Sequence, residues 1–453
     1  DGSVSVGFTE ATVVSPDFKV SGTADVLAST HVSAQRGATI KGRVLGEKIE
    51  LVTDTATGTF LGRSLVDADF SLAPRGTMVG EVRAESGEWI ADAASSRFSG
   101  SALSATARFE PAAITASATM SGVRTSILGA CPWSEAEKAT VVARIDTPEG
   151  GDVSGNIIGS LRGANLSWGG FEARAQETSV LGRFSKSLFS AKVEAKTVDM
   201  KNQGGAPRGW EAGVGSVLVT ADLAVNDKNA QGPARIEIKD AGGQVGKTRV
   251  NGDLVATVTI TAPNKSLRTA EVTGKVQAQN ITMQTKDRSI DNWWAHFDLD
   301  RAKVDIRQDF DLSGKVRARF RDALPALYIL ASEDQIPGFV PDVLPLEGLA
   351  LDLGVERFCR WTDVQILSAR GGPLAAEGRL QVEPGETRGA LLLRLAAIKS
   401  LSVGLNFVED YSHTAPLVGS SWLEKHLVPL TTAATEKHDE LCRPQPPKCP
   451  VTP

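Results

Sequence analysis

"FKVSGTADVLA", residues 18–28, alternates with a period of two. Phe18, Val20, Gly22, Ala24, Val26 and Ala28 fall on one side, and Lys19, Ser21, Thr23 and Asp25 on the other. Successive side chains of a strand point to opposite faces, so this is a half-buried strand with one greasy side. The pattern returns along the chain. Val217, Val219, Ala221, Leu223 and Val225 alternate with Leu218, Thr220, Asp222 and Ala224. Ala234, Ile236 and Ile238 alternate with Arg235, Glu237 and Lys239. Leu254, Ala256, Val258 and Ile260 alternate with Val255, Thr257 and Thr259. A second signature runs through these strands, an apolar residue, a small polar one and then glycine, ending at Gly22, Gly100, Gly155, Gly252, Gly274 and Gly314. Glycine weakens a strand interior, so its recurrence predicts bends, bulges or close backbone approach in a long sheet. The irregular spacing argues against a propeller or a strict solenoid.

Composition narrows the chemistry. A chain of 453 residues has room for two to four ordinary domains or for one elongated sheet. With two tyrosines, four methionines and five histidines, the side chains that build catalytic sites are scarce, and no enzyme or cofactor is expected. The formal charge of -5 carries no basic block, which leaves nucleic acid without the phosphate-neutralising patch it requires. No run of 18 or more apolar residues occurs, so no segment is expected to cross a bilayer as a helix. The chain opens at Asp1 without methionine or a signal peptide and reads as processed or truncated. Of the four cysteines, Cys442 and Cys449 bracket "CRPQPPKC", where a short disulfide-closed loop would fit an oxidising compartment; unpaired thiols are the alternative. Neither Cys131 nor Cys359 has a close cysteine or histidine partner in sequence, which disfavours zinc.

Helical signals are local. "CPWSEAEKA" offers Ser134 as an N-cap with Glu137 three residues on. Asp322 precedes the apolar run Leu324 to Leu330, and "SSWLEKHLVP" places Ser421 and Glu424 at capping-box spacing before Pro429. The expected organisation is a β-groove over 1–320, a helical insert over 321–345, a terminal β segment over 346–410, and a short helix with a proline-rich tail over 411–453. An antiparallel sheet with one apolar face must bury it on helices, on a second sheet, on itself or on an apolar ligand. Helices are too few here. Valine, alanine and glycine linings, with few aromatics to fill the space, favour an open conduit over a packed core.

The stretches "LSGKVRARFRDALPALYIL", "VPDVLPLEGLALDLGVE", "GPLAAEGRLQV" and "RGALLLRLAAIKSLSVGL", between about residues 312 and 408, resemble the C-terminal region of AsmA-like envelope proteins, the superfamily that includes TamB. The glycine-punctuated strands of 18–320 are similar in texture. The resemblance implies a mainly β fold, an elongated, curved antiparallel sheet forming an open groove (a β-taco), with a few short helices near the C-terminal part. It also implies a periplasmic protein, anchored to the inner membrane through a segment absent from this chain, that carries phospholipid acyl chains and works beside envelope membrane proteins. No catalytic residues come with it. On this reading the lining residues are Phe18, Val20, Ala24 and Val26, then Val217, Val219, Ala221, Leu223 and Val225, then Leu254, Ala256, Val258 and Ile260. A passive scaffold of an envelope complex is the alternative.

Three constellations bear on chemistry. In "DNWWAHFDLDRAKVD", Trp294, His296, Asp298 and Asp300 share one strand face, a conceivable metal site without a second histidine, and a solvated polar face explains them as well. "NDKNAQG" faintly echoes a calcium loop starting at Asp227, but Ile238 stands where a bidentate glutamate is needed, so a hairpin turn is expected. An adhesin or carbohydrate binder would need aromatic platforms, for which Trp293 and Trp294 are the one adjacent pair. Neither a phosphate loop nor a nucleophile elbow occurs.

Overall fold

The computed structural model describes residues 2–427, less 15–17, 34–36, 54–55, 74–77, 94–95, 128–132, 150, 169–170, 203–210, 227, 246–247, 264–268, 286–287, 306–310, 326–327, 329–346, 359–360, 373, 384–385, 396–401 and 409–410. The protein is mainly β. Its strands are β1 (Gly2–Val14), β2 (Phe18–Ser33), β3 (Gly37–Thr53), β4 (Ala56–Leu72), β5 (Met78–Ser86), β6 (Glu88–Ala93), β7 (Ser96–Gly100), β8 (Ala102–Glu110), β9 (Ala113–Ile127), β10 (Trp133–Asp146), β11 (Ser154–Trp168), β12 (Phe171–Ser185) and β13 (Leu188–Asn202). They continue as β14 (Glu211–Val225), β15 (Asn229–Val245), β16 (Thr248–Pro263), β17 (Thr269–Gln284), β18 (Ser289–Asp305), β19 (Asp311–Asp322), β20 (Glu347–Phe358), β21 (Trp361–Gly371), β22 (Leu374–Glu383), β23 (Glu386–Leu395), β24 (Ser402–Val408) and β25 (Tyr411–Pro416). The chain divides into two units, residues 1–167 with 174–195, and residues 168–173 with 196–453.

In the first unit each strand pairs antiparallel with the next, from β1 through β4 and from β9 to β11. Between them, the pairings of β4, β5, β8, β9, β7 and β6 close a ring of six segments. Only Gly87 separates β5 from β6, and only Ser101 separates β7 from β8, whereas β4 and β9 each span both halves. The ring is therefore two long strands, each broken once, lying between two unbroken ones. At the break Ser64 and Ser86, both buried, hydrogen-bond through their hydroxyls at 3.0 Å. The segment read as a helix around Ser134 lies instead in β10. Glu135 is paired to Arg124 at 3.0 Å, and β10 is hydrogen-bonded on both sides, to β9 and β11. A helix this short is marginal in isolation, and two flanking ladders outweigh its local propensity.

In the second unit the meander runs from β14 to β25, each strand antiparallel to its neighbour. Four of the six recurrent glycines sit where the register breaks, whereas Gly155 lies opposite Ile145 and Gly100 opposite Trp89 in ladders without a shift. Gly252 lies inside a shift between Asn251 and Asp253, Gly274 closes one from Val272, and Gly314 faces the bulge between Asp300 and Lys303. In the first unit, Gly22 adjoins the shift at Thr23 and Ala24. Room is short at Gly252, where an added Cβ would lie 2.2 Å from Ile281 Cδ1. One extra residue per strand bends the strand and increases its twist.

Asp253 ties these bulges together. Its Oδ1 accepts the backbone N–H of Asp240 at 3.0 Å, and its Oδ2 accepts Asn280 Nδ2 at 2.9 Å. Asp240 and Asn280 both hold the left-handed conformation, at φ 53 and 55, so one carboxylate secures a bulge on each flanking strand. The Asn280 and Asp240 hydrogen bonds hold the Asp253 carboxyl below its ordinary range. Replacing Asp253 by alanine is expected to cost roughly 1–2 kcal/mol at neutral pH. Because the folded-state pKa is depressed, this contribution is present above the unfolded value and is lost as the pH falls through the folded one. Urea midpoints of wild type and variant should thus differ at neutral pH and converge in acid.

Of the three capping expectations one is met: Asp322 caps a helical turn, whereas the helix expected at Ser421 forms but starts before it. Helical turns begin at 324, and Asp322 Oδ1 accepts the N–H of Leu324 at 3.1 Å, as an N-cap does. The C-terminal helix covers 420–427, with Gly419 O accepting the N–H of Trp422 at 3.0 Å, so Ser421 sits within its first turn. Among the described residues, no helix is long and apolar enough to cross a membrane. Residues 329–345 of the expected insert, the tail from 428, and all four cysteines, Cys442 and Cys449 included, lie outside the described residues.

Candidate functional site

Residues directly opposite across a ladder share a face, so the register converts the alternation of single strands into rows that cross the sheet. In the second unit one row runs Val219, Ile236, Ala256, Val276, Phe297, Ala318, Leu351, Ala369, Ala376, Leu393 and Val403. A parallel row runs Ala221, Ala234, Val258, Gly274, Leu299, Val316 and Leu353. A third runs Val217, Ile238, Leu254, Ala278, Ala295, Phe320 and Leu349. No charged or polar residue interrupts these rows. Val217, Val219 and Ala221 thereby share a face with Leu254, Ala256 and Val258, brought there by the intervening β15. Ile260 follows opposite Gly232, and Val225 opposite Ala230. Leu223 lies between Ala221 and Val225 on the same side of the strand.

The first unit has the same construction. One row runs Val26, Val44, Val66, Ala84, Ala105, Ala118, Val141 and Gly159. Phe18, Val20 and Ala24 pair with Thr53, Leu51 and Gly46; their side chains lie outside the description, so only their register is given.

Burial along these rows is uneven: Val258 and Ala295 are buried, and Ala221, Ala278 and Ala376 are half-buried. Ala256, Ala318 and Ala369 are buried, whereas Val219, Ile236, Val276, Phe297, Leu351 and Leu393 are each only half-buried. In β16 the alternation is clean, with Ala256 and Val258 buried and Thr257 and Thr259 exposed. In β14 it is weaker, since Leu218 and Thr220 are half-buried too. Neither arrangement has the close packing of a sandwich core, in which the large side chains are the most deeply buried.

The opposite face is charged. In the first unit Lys41 pairs with Asp69 at 3.0 Å, Arg43 with Asp67 at 2.6 Å, and Arg108 with Glu81 at 2.9 Å, along neighbouring strands. The Arg43 hydrogen bond holds the Asp67 carboxyl below its ordinary range, and those of Arg83 and Arg108 do the same for Glu81. A recess of about 920 Å³ is lined by Lys41, Arg43, Asp67, Asp69, Glu81 and Arg108 together with Ala28, Gly42, Ala68 and Phe109. On the same side of β18, His296 stands opposite Arg319 and Gln277, and Asp298 opposite Arg317 and Lys275. These cationic neighbours suit a solvated polar face. Among the described residues there is no cluster of three metal-ligating side chains.

Trp293 and Trp294 part company. Trp293 lies on the apolar face, stacked on Phe320 at 5.7 Å, and Trp294 lies on the other against His296 at 4.7 Å. The adjacent pair cannot form a single platform. "NDKNAQG" makes the expected hairpin turn, in which Asn226 Oδ1 accepts the N–H groups of Lys228 and Asn229 at 2.9 Å; Asp227 lies outside the described residues.

Near the C-terminus the charged face is covered. Ala390 and Leu392 are fully buried with Leu423 of the 420–427 helix, and Val418, Trp422 and Leu427 pack around them. Gly404 permits this contact, since an added Cβ would lie 2.5 Å from the Trp422 ring. The helix thus lies on the face opposite the one to which Leu391 and Leu393 belong. The sequence places Phe297 on an apolar strand face but names neither it nor Phe320, Leu351 and Leu393 as lining residues, although the alternation in each of their strands was there to be read.

No family model matches the chain, and no curated protein matches it.

Proposed function

We propose that this is a non-enzymatic, lipid-binding protein of the periplasm, whose apolar face forms an open groove that holds or conducts phospholipid acyl chains between the inner and outer membranes, beside envelope membrane proteins. The observation that carries this reading is the set of unbroken apolar rows whose large side chains remain half-exposed. An acyl chain laid along them gains about 0.8 kcal/mol for each methylene taken from water, and a sheet with one charged face can hold such a chain on its other face while staying in solution. The resemblance to AsmA-like proteins over about residues 312–408 adds to it.

Native mass spectrometry of gently purified protein should find phospholipid bound. Protein that carries none, and that takes none up from vesicles, would leave the passive scaffold as the better reading.

A further inference from the structure

In the first unit a row of large side chains crosses the apolar face beside a row of small ones. Opposite one another in turn stand Ile40, Phe70, Gly80, Phe109, Ile114 and Ile145. Two residues along each of the same strands, and so on the same face, stand Gly42, Ala68, Val82, Ala107, Ala116 and Ala143.

Phe70 and Phe109 belong to the strands on either side of Gly80, and their ring centres lie 5.7 Å apart. Both are half-buried. A Cβ added to Gly80 would lie 2.0 Å from Phe70 Cδ1 and 2.5 Å from its Cε1, so the ring occupies the place of the missing side chain. The ring is the reason for a glycine here. The φ of Gly80 is outside the left-handed region, and the three atoms nearest the added Cβ all belong to the Phe70 ring. At Gly22 and Gly232, by contrast, the nearest atom is a backbone carbonyl oxygen. The arrangement recurs at Gly155, which continues the row opposite Ile145 and whose added Cβ would lie 2.7 Å from Phe184 Cζ.

We infer, on the basis of the lipid reading above, that Gly80 is a positioning residue for the acyl-chain path in the first unit, acting through Phe70. Side chains of a strand ordinarily stand roughly perpendicular to the sheet. Gly80 instead lets the Phe70 ring lie across the sheet, which keeps the surface low beside the row of small residues. A methyl group at position 80 drives the ring into another rotamer, up off the sheet beside Ala68 and Val82, where an acyl chain would lie.

A diazirine amino acid at position 82 of the full chain, incubated with phosphatidylcholine vesicles and irradiated, reads lipid contact in the small row. The same probe at position 219 reads it in the second unit. Gly80→Ala should remove most of the phospholipid adduct at 82 while leaving the adduct at 219 and the sheet content by circular dichroism unchanged. Phe70→Ala added to Gly80→Ala should restore the adduct at 82, because the displaced ring is gone. An undiminished adduct at 82 in Gly80→Ala, a loss there that Phe70→Ala does not restore, or an equal loss at 219 would overturn the inference. If the protein with glycine at 80 gave an adduct at 219 and none at 82, the inference would fall and the lipid reading would stand. Adducts at neither position would sink both.

Discussion

Aspartate in place of Val258 is expected to lower the stability of the second unit by roughly 3–5 kcal/mol, because a charge is buried there without a partner. Val258 is 9% exposed, and the residues facing it are Ala234 and Gly274. Gly274 packs closely against it, since an added Cβ there would come 2.6 Å from Val258 Cα. The loss should appear as a lowered urea midpoint and as reduced β signal by circular dichroism at growth temperature. Val219 gives the contrasting case. It occupies the neighbouring row but is only half-buried, so aspartate there can stay partly hydrated. That variant should keep its sheet content and lose most of its bound lipid. Alternation alone ranks the two valines as equals; the register and the glycine opposite separate them.

Leu392→Ala is expected to cost about 3 kcal/mol, within the usual range for removing a fully buried leucine side chain. The cost should be local. Leu392 anchors an eight-residue helix through Leu423 and Trp422, and so short a helix has little stability of its own. Amide exchange at 420–427 should accelerate and the fluorescence of Trp422 shift to the red, with protection in β14 to β19 unchanged. Exchange that remained slow at 420–427 would mean that other contacts hold the helix.

Much of this was legible in the sequence because strand alternation is a local signal. The faces of β2, β14 and β16 follow from period-two patterns, and the glycine signature marked register breaks at Gly252, Gly274 and Gly314 before any pairing was known. Asp322 as a cap was likewise readable from the apolar run that follows it. The helix expected around Ser134 failed because capping residues report local preference, whereas β10 is fixed by hydrogen bonds to β9 and β11, distant in sequence. The same limit hid the rows themselves. Val219, Phe297 and Leu393 belong to one line only through the pairings of the strands between them, and bulges at Asp240 and Asn280 shift that register by amounts no single strand reveals. The packing of the 420–427 helix on the charged face was hidden too, since Ala390 and Leu392 read as ordinary members of the run "ALLLRLAA".

The central claim is that the apolar face, and not its charged counterpart, carries lipid. A photoreactive amino acid placed at Val219 or at Thr220, in otherwise identical protein isolated from cells, tests it most directly. The two positions are neighbours on β14, with Val219 opposite Ile236 and Thr220 opposite Arg235. The account predicts that irradiation yields a phospholipid adduct from position 219 and little or none from 220. Equal labelling at both positions, or labelling at 220 alone, would contradict it.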